Sequence, residues 1–253
     1  VERRPSLRYR RGEASSAPGA ADVPGAIYMT GARNISFENR RVSNIGWYGM
    51  EVGDGCQAVR IVGNEIDDLG AGGVKINGAS FQEPADRRTG YCRVTDNEIS
   101  RGGRVFHSGI GILSMHAYAN MLSHNHIYDF YYSGISCGWV WGYAANISRD
   151  NLIEYNHIHD LGHGLLSDMG GIYTLGVQPG TVLRNNHIHH VEKLNYGAWC
   201  IYPDEGSSHM LIEYNLCYRT NGDIFHQHYG RENMVRNNVF AFGAESITAH
   251  GRV

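Results

Sequence analysis

NHIHDLG, residues 156–162, has near-copies elsewhere in the chain: DNEIS at 96–100, HNHIYDF at 124–130, NNHIHHV at 185–191 and YNLCYRT at 214–220. Aligning on the asparagine gives Asn64, Asn97, Asn125, Asn156, Asn186, Asn215 and Asn238, with Arg40 in the equivalent place of a first copy. The intervals are 24, 33, 28, 31, 30, 29 and 23 residues. Two positions after each marker stands Val42, Ile66, Ile99, Ile127, Ile158, Ile188, Cys217 or Phe240. A short β-like run precedes each marker, as in RIVG, CRVT, NLIEY and TVLR. A second follows beyond a turn, as in GMEV, GGVKI, SGISC, GGIYTL, WCIY, IFHQH and SITAH. Self-similarity at this period is the signature of a solenoid, in which each unit buries its apolar face only against its neighbours.

Coils stacked about 4.8 Å apart place equivalent residues directly above one another. The apolar positions then form one internal column, and the asparagines a ladder of amides at a corner. The expected fold is all-β: a parallel β-helix of about eight coils, right-handed by the crossover rule, with loop in the longer coils. Glycines before the second strands mark sharp turns. The histidines beside the ladder, His126, His157, His159, His187 and His189, alternate with Tyr128 and Tyr218. As outward stacked columns they need no metal, and none is expected.

Composition narrows the classes. Of the 253 residues, 42% are hydrophobic, enough for a substantial core, and 33 are glycine against 6 proline. A net charge of -3 gives no reason to expect nucleic acid or an anionic membrane as partner. No apolar run of 18 residues exists to span a bilayer. Five cysteines without CxxC spacing argue against a disulfide framework or a zinc ribbon. Residues 1–24 are charged, Ala/Ser-rich and unrepetitive, as in a linker or a remnant of a preceding region. Residues 25–253 carry the solenoid, expected to be the C-terminal part of a longer enzyme. With neither a signal peptide nor an initiating Met, the compartment is not readable from the ends.

Function is expected where the repeat is broken, because the outer face of one strand per coil forms a groove suited to an extended polymer. Aligning IYTLG, IYPDEG and FHQHYG puts Tyr173, Tyr202 and His226 in one outward column and Leu175, Asp204 and His228 in the next. Asp168 precedes the first of these strands and Arg231 follows the last. Glu205 adjoins Asp204, and GWVWGY upstream adds Trp139 and Trp141. Paired carboxylates suit glycosidic bond hydrolysis, one as proton donor and the other as base or nucleophile. Aromatic rings offer platforms for sugars. Asp168, in the apolar LLSDMGG, is the expected general acid. Asp204, beside His228, is the expected nucleophile or base, with Glu205 a competing second carboxylate. His226, His228 and Arg231 would orient substrate.

The runs SDMGGIYTLGVQPG, IYPDEGSS and FHQHYGRENMVRNN resemble segments of right-handed parallel β-helix carbohydrate-active enzymes. The likeness is to glycoside hydrolase family 141, with fucosidase and xylanase activities, and more distantly to the family 120 β-xylosidases. It spans roughly residues 25–250 and is specific around the three quoted runs. It implies two-carboxylate acid/base chemistry, carried onto Asp168 and Asp204, on a xylan- or fucose-containing poly- or oligosaccharide. It implies no cofactor, and an extracellular or periplasmic location. The sugar, the linkage and retention or inversion stay open. Two other classes stand beside this one. A polysaccharide lyase or epimerase would draw on His226, His228, Tyr173 and Arg231, often with calcium, but an anionic polymer prefers a cationic cleft. A non-catalytic β-helix, as in adhesins, would carry no localised acid cluster.

Overall fold

The computed structural model describes residues 18–244 and 247–249. Residues 1–17 of the expected linker lie outside these, as do 246 and 250 of the run SITAH. The chain winds as a right-handed parallel β-helix with three parallel sheets and almost no helix. The first sheet has seven strands, from Gly25–Met29 through Ile135–Gly138 and Met169–Thr174 to Ala198–Pro203. The second has eight short strands, from Ser36–Glu38 to Met234–Arg236. The third also has eight, from Arg41–Ile45 to Val239–Gly243. Every pairing is parallel and joins a strand to its counterpart one coil away.

Each coil therefore holds three strands, not two. The extra one is the motif itself: His157–Leu161 pairs with His126–Phe130 on one side and His187–Val191 on the other. Register runs unbroken from Val42 through Ile66, Ile99, Ile127, Ile158, Ile188 and Cys217 to Phe240. The middle five isoleucines are fully buried, each worth about 1.5–3 kcal/mol of removed apolar surface. The five cysteines are buried and free.

The asparagine ladder is a buried, repeating hydrogen-bond unit. Asn156 Nδ2 donates to Asn186 Oδ1 at 3.0 Å and to the Leu122 carbonyl at 2.9 Å. Its own Oδ1 accepts from the Nδ2 and backbone N–H of Asn125. The residue before each marker is left-handed, as at Asp96, His124, Tyr155, Asn185 and Tyr214. One such residue turns the chain through the corner, and the amide then satisfies the polar groups that the bend exposes. A shorter ladder, Asn120 to Asn151 at 3.1 Å, stands at the corner between the first and second sheets.

Gly197, before Ala198–Pro203, makes the expected left-handed turn, but other glycines at the first-sheet strands serve a different need. Gly111, Gly134 and Gly171 have no positive φ. A Cβ on Gly134 would instead lie 2.5 Å from Ile158 Cγ2, and one on Gly171 2.3 Å from Ile188 Cγ2. They clear space for the isoleucine column. Residues 18–24, assigned to the linker, pack on the outer face of the first sheet. Lys75 Nζ is buried there and donates to the carbonyls of Ala21 and Val23 at 3.1 and 2.7 Å, with Glu51 3.4 Å away. Among the described residues no helix is long and apolar enough to cross a membrane.

Candidate functional site

On the outer face of the first sheet, over the last coils, lies a cavity of about 980 Å³. Loops that lengthen the repeat form its walls: Leu166 to Asp168 and Asn195 to Gly197 on one side, Trp141 and Glu205 on another. Tyr173, Tyr202 and His226 form its floor. Register confirms their column, with Tyr173 opposite Tyr202 and the next coil joined through Ile201 and Phe225. They are not open platforms, however: Tyr173 is 7% exposed and Tyr202 3%. With Leu175 and Trp199 they make a second apolar cluster outside the main core. Leu175 is fully covered.

Two carboxylates meet through tyrosine hydroxyls. Tyr173 Oη donates to Asp204 Oδ2 at 2.6 Å, and Tyr202 Oη to Asp168 Oδ1 at 3.2 Å. The Tyr173 and Tyr202 rings pack edge to face with centroids 5.1 Å apart, so the two carboxylates they hold line one cavity. Tyr132 Oη completes the frame by donating to the Asp168 carbonyl at 2.7 Å.

Burial, and then the nearby Asp204 charge, raise the pKa of Asp168, against the pull of the Tyr196 and Tyr202 hydroxyls and of His228. Burial and the same two acids push Tyr196 up to about 12 and Tyr173 and Tyr202 far above the ordinary phenol value. The hydroxyls thus remain donors at any physiological pH. His228 Nδ1 lies 3.6 Å from Asp204 Oδ1, as the column alignment requires. Glu205 is held by Tyr229 Oη at 2.6 Å.

Of the residues singled out from sequence, Asp168, Asp204, Glu205, Trp141, Tyr173, Tyr202, His226 and His228 line the cavity. Two do not. Trp139 stands behind the wall, packed edge-on to Trp141 at 5.5 Å and against the Tyr173 cluster. Arg231 lies over the Tyr143 ring at 4.6 Å, and Tyr143 meets Tyr229, the residue that holds Glu205.

The lining residues that escaped the sequence reading include Tyr132, Tyr196, Trp199 and Asp223. Trp199 stacks on His226 with ring centroids 4.7 Å apart and donates through Nε1 to Asp223 Oδ2 at 3.4 Å. The missing signal is a break in alternation. Cys200 and Ile201 both enter the core, and their N–H groups both point at the Ile224 carbonyl. This bulge puts Trp199 and Tyr202, three apart, on the same outer face.

Residues 25–201 match the family model of the right-handed beta helix region. No curated protein matches the chain. Among solved structures, one described as a glycoside hydrolase superposes with a TM-score of 0.68 at 22% identity, over 90% of this chain and 38% of its own. The Streptococcus pneumoniae surface protein and adhesin PfbA gives 0.57 at 11%, over 90% and 69%. The GH136 lacto-N-biosidase from Eubacterium ramulus gives 0.51 at 15%, over 94% and 47%. At these identities the likeness is one of fold, and this chain spans well under half the length of the first structure.

Proposed function

This chain belongs to the right-handed β-helix region family, and from that premise we propose that it is a glycoside hydrolase acting on a neutral oligo- or polysaccharide. The observation that carries the reading is the pair Asp168 and Asp204, held by the hydroxyls of the adjacent Tyr202 and Tyr173 on the floor of an aromatic cavity. Asp168, with its raised pKa, is the proton donor to the leaving oxygen. Asp204 attacks the anomeric carbon or deprotonates the attacking water. Tyr173 and Tyr202 fix the carboxylates, and the exposed Trp141 offers a ring face to the sugar. Xylan- and fucose-containing glycans are the substrates of choice, on the sequence resemblance described above.

The same geometry disfavours lyase chemistry. Four carboxylates line the cavity against one lysine, Lys193, and two histidines, an arrangement hostile to a polyuronate. The test uses aryl xylosides and fucosides with Asp168→Ala and Asp204→Ala. Asp168→Ala should lose about 10²–10⁴-fold in kcat on poor leaving groups and little on activated ones, which need no proton. Asp204→Ala should fail on all of them, and azide should restore part of its turnover if the enzyme retains configuration. Wild-type rates from both variants would overturn the assignment. Ultraviolet absorbance from unsaturated uronates would overturn the reaction class.

A further inference from the structure

The outer face of the third sheet carries a histidine array, and none of its residues lines the cavity. His126, His157 and His187 stack in one column, with ring centroids 4.9 and 4.6 Å apart. His159 and His189 stack at 4.8 Å in the neighbouring column. Taken singly, the columns require nothing beyond ring packing. The diagonal contacts between them add more. His126 Nε2 lies 2.8 Å from His159 Nε2, and one nitrogen from each of His126, His157 and His159 lies within 4.8 Å of the other two.

We propose that His126, His157 and His159 form a binding site for a late first-row divalent metal, zinc in the first instance, with Asp160 as a positioning residue. Nitrogens sharing one zinc at 2.0–2.1 Å in tetrahedral geometry stand about 3.3 Å apart. Small swings of half-buried rings bring the trio there without moving the backbone. Imidazole-only ligation suits zinc, nickel and copper and disfavours calcium and magnesium.

Asp160 decides between the two possible trios. Its Oδ2 is 2.9 Å from His159 Nδ1, so that nitrogen carries the proton and Nε2 presents its lone pair, the usual support for a metal-bound histidine. The rival trio, His157, His187 and His189, has no such carboxylate, and His187 Nε2 is already 3.0 Å from the Tyr218 hydroxyl. Because His157 belongs to both, filling one trio empties the other, and a single equivalent binds. The metal then fastens the fourth coil to the fifth.

Untagged protein titrated with zinc by calorimetry, and with cobalt followed by its d–d absorption, tests the site. One equivalent should bind, the cobalt band should report nitrogen ligation, and thermal stability should rise. His157→Gln and His159→Gln should each weaken binding by more than about 100-fold, and Asp160→Asn by about 10–100-fold. His209→Gln, paired with Glu232 elsewhere, should bind as wild type. Imidazole nitrogen chemical shifts of the wild type, read with and without zinc, report on the same three rings even if a variant fails to fold. No saturable binding by the folded wild type, or binding that survives both histidine substitutions, overturns the proposal. Glycoside hydrolysis rests on other residues and should be unchanged in Asp160→Asn.

Discussion

Asp168 holds its proton above the ordinary aspartate pKa because burial and the nearby Asp204 charge oppose ionisation. As proton donor it must be protonated, so kcat/KM should fall as pH rises through this raised pKa. The fall should disappear with activated leaving groups. Tyr202 hydrogen-bonds the ionised form and lowers the pKa; in Tyr202→Phe the alkaline limb should therefore move to higher pH. The same shift affects stability. A group whose folded pKa is raised favours the fold below its unfolded value, and that contribution is lost as pH rises through the folded value. At neutral pH Asp168 therefore strains the fold. Asp168→Asn should melt higher than wild type at pH 7, with the difference vanishing in acid, while losing activity on unactivated substrates. An equal or lower melting temperature at pH 7 would contradict this electrostatic account. Asp168 and Asp204 were legible in sequence because each sits against a conspicuous first-sheet strand. Tyr196 and Tyr132 were not, because a residue on an aperiodic loop has no register from which to infer its neighbours.

At the scale of elements, the corner ladder is where a single change costs most. Asn156→Ala would leave the Asn125 backbone N–H and amide without their acceptor and the Leu122 carbonyl without its donor, all buried. About 3 kcal/mol should be lost, seen as a lower urea midpoint at unchanged slope. An exposed asparagine without a left-handed backbone, such as Asn195, should tolerate alanine. The ladder and isoleucine column were readable because a solenoid repeats its chemistry at each coil. The third strand was hidden by that same regularity: a strand of three to five residues starting directly after the marker looked like part of its turn. Trp199 was hidden by the bulge at Cys200 and Ile201, which reverses the parity that strand reading depends on.

Across the whole molecule, each coil contacts mainly the coils before and after it, so stability is distributed as in a linear array. Hydrogen exchange should be slowest in the strands of the fourth to sixth coils, which have neighbours on both sides, and should quicken toward the first and eighth. Uniform protection from end to end would instead mark a single cooperative unit. The cavity lies toward the less buttressed end, and loops from several coils wall it, so loss of the last two coils would remove His226 and His228 from the site.

The amide ladder also has a direction. From Asn64 to Asn215 each Nδ2 donates to the next coil's asparagine, and from Asn97 to Asn238 each Oδ1 accepts from the preceding one. Six links aligned in this way add their dipoles and polarise one another. Such a row is vectorial: reversing one amide would set two donors face to face at one junction and two acceptors at the next. The row thus acts as a reading frame for winding. A coil one residue out of step would present a corner with no amide to receive the donor waiting there.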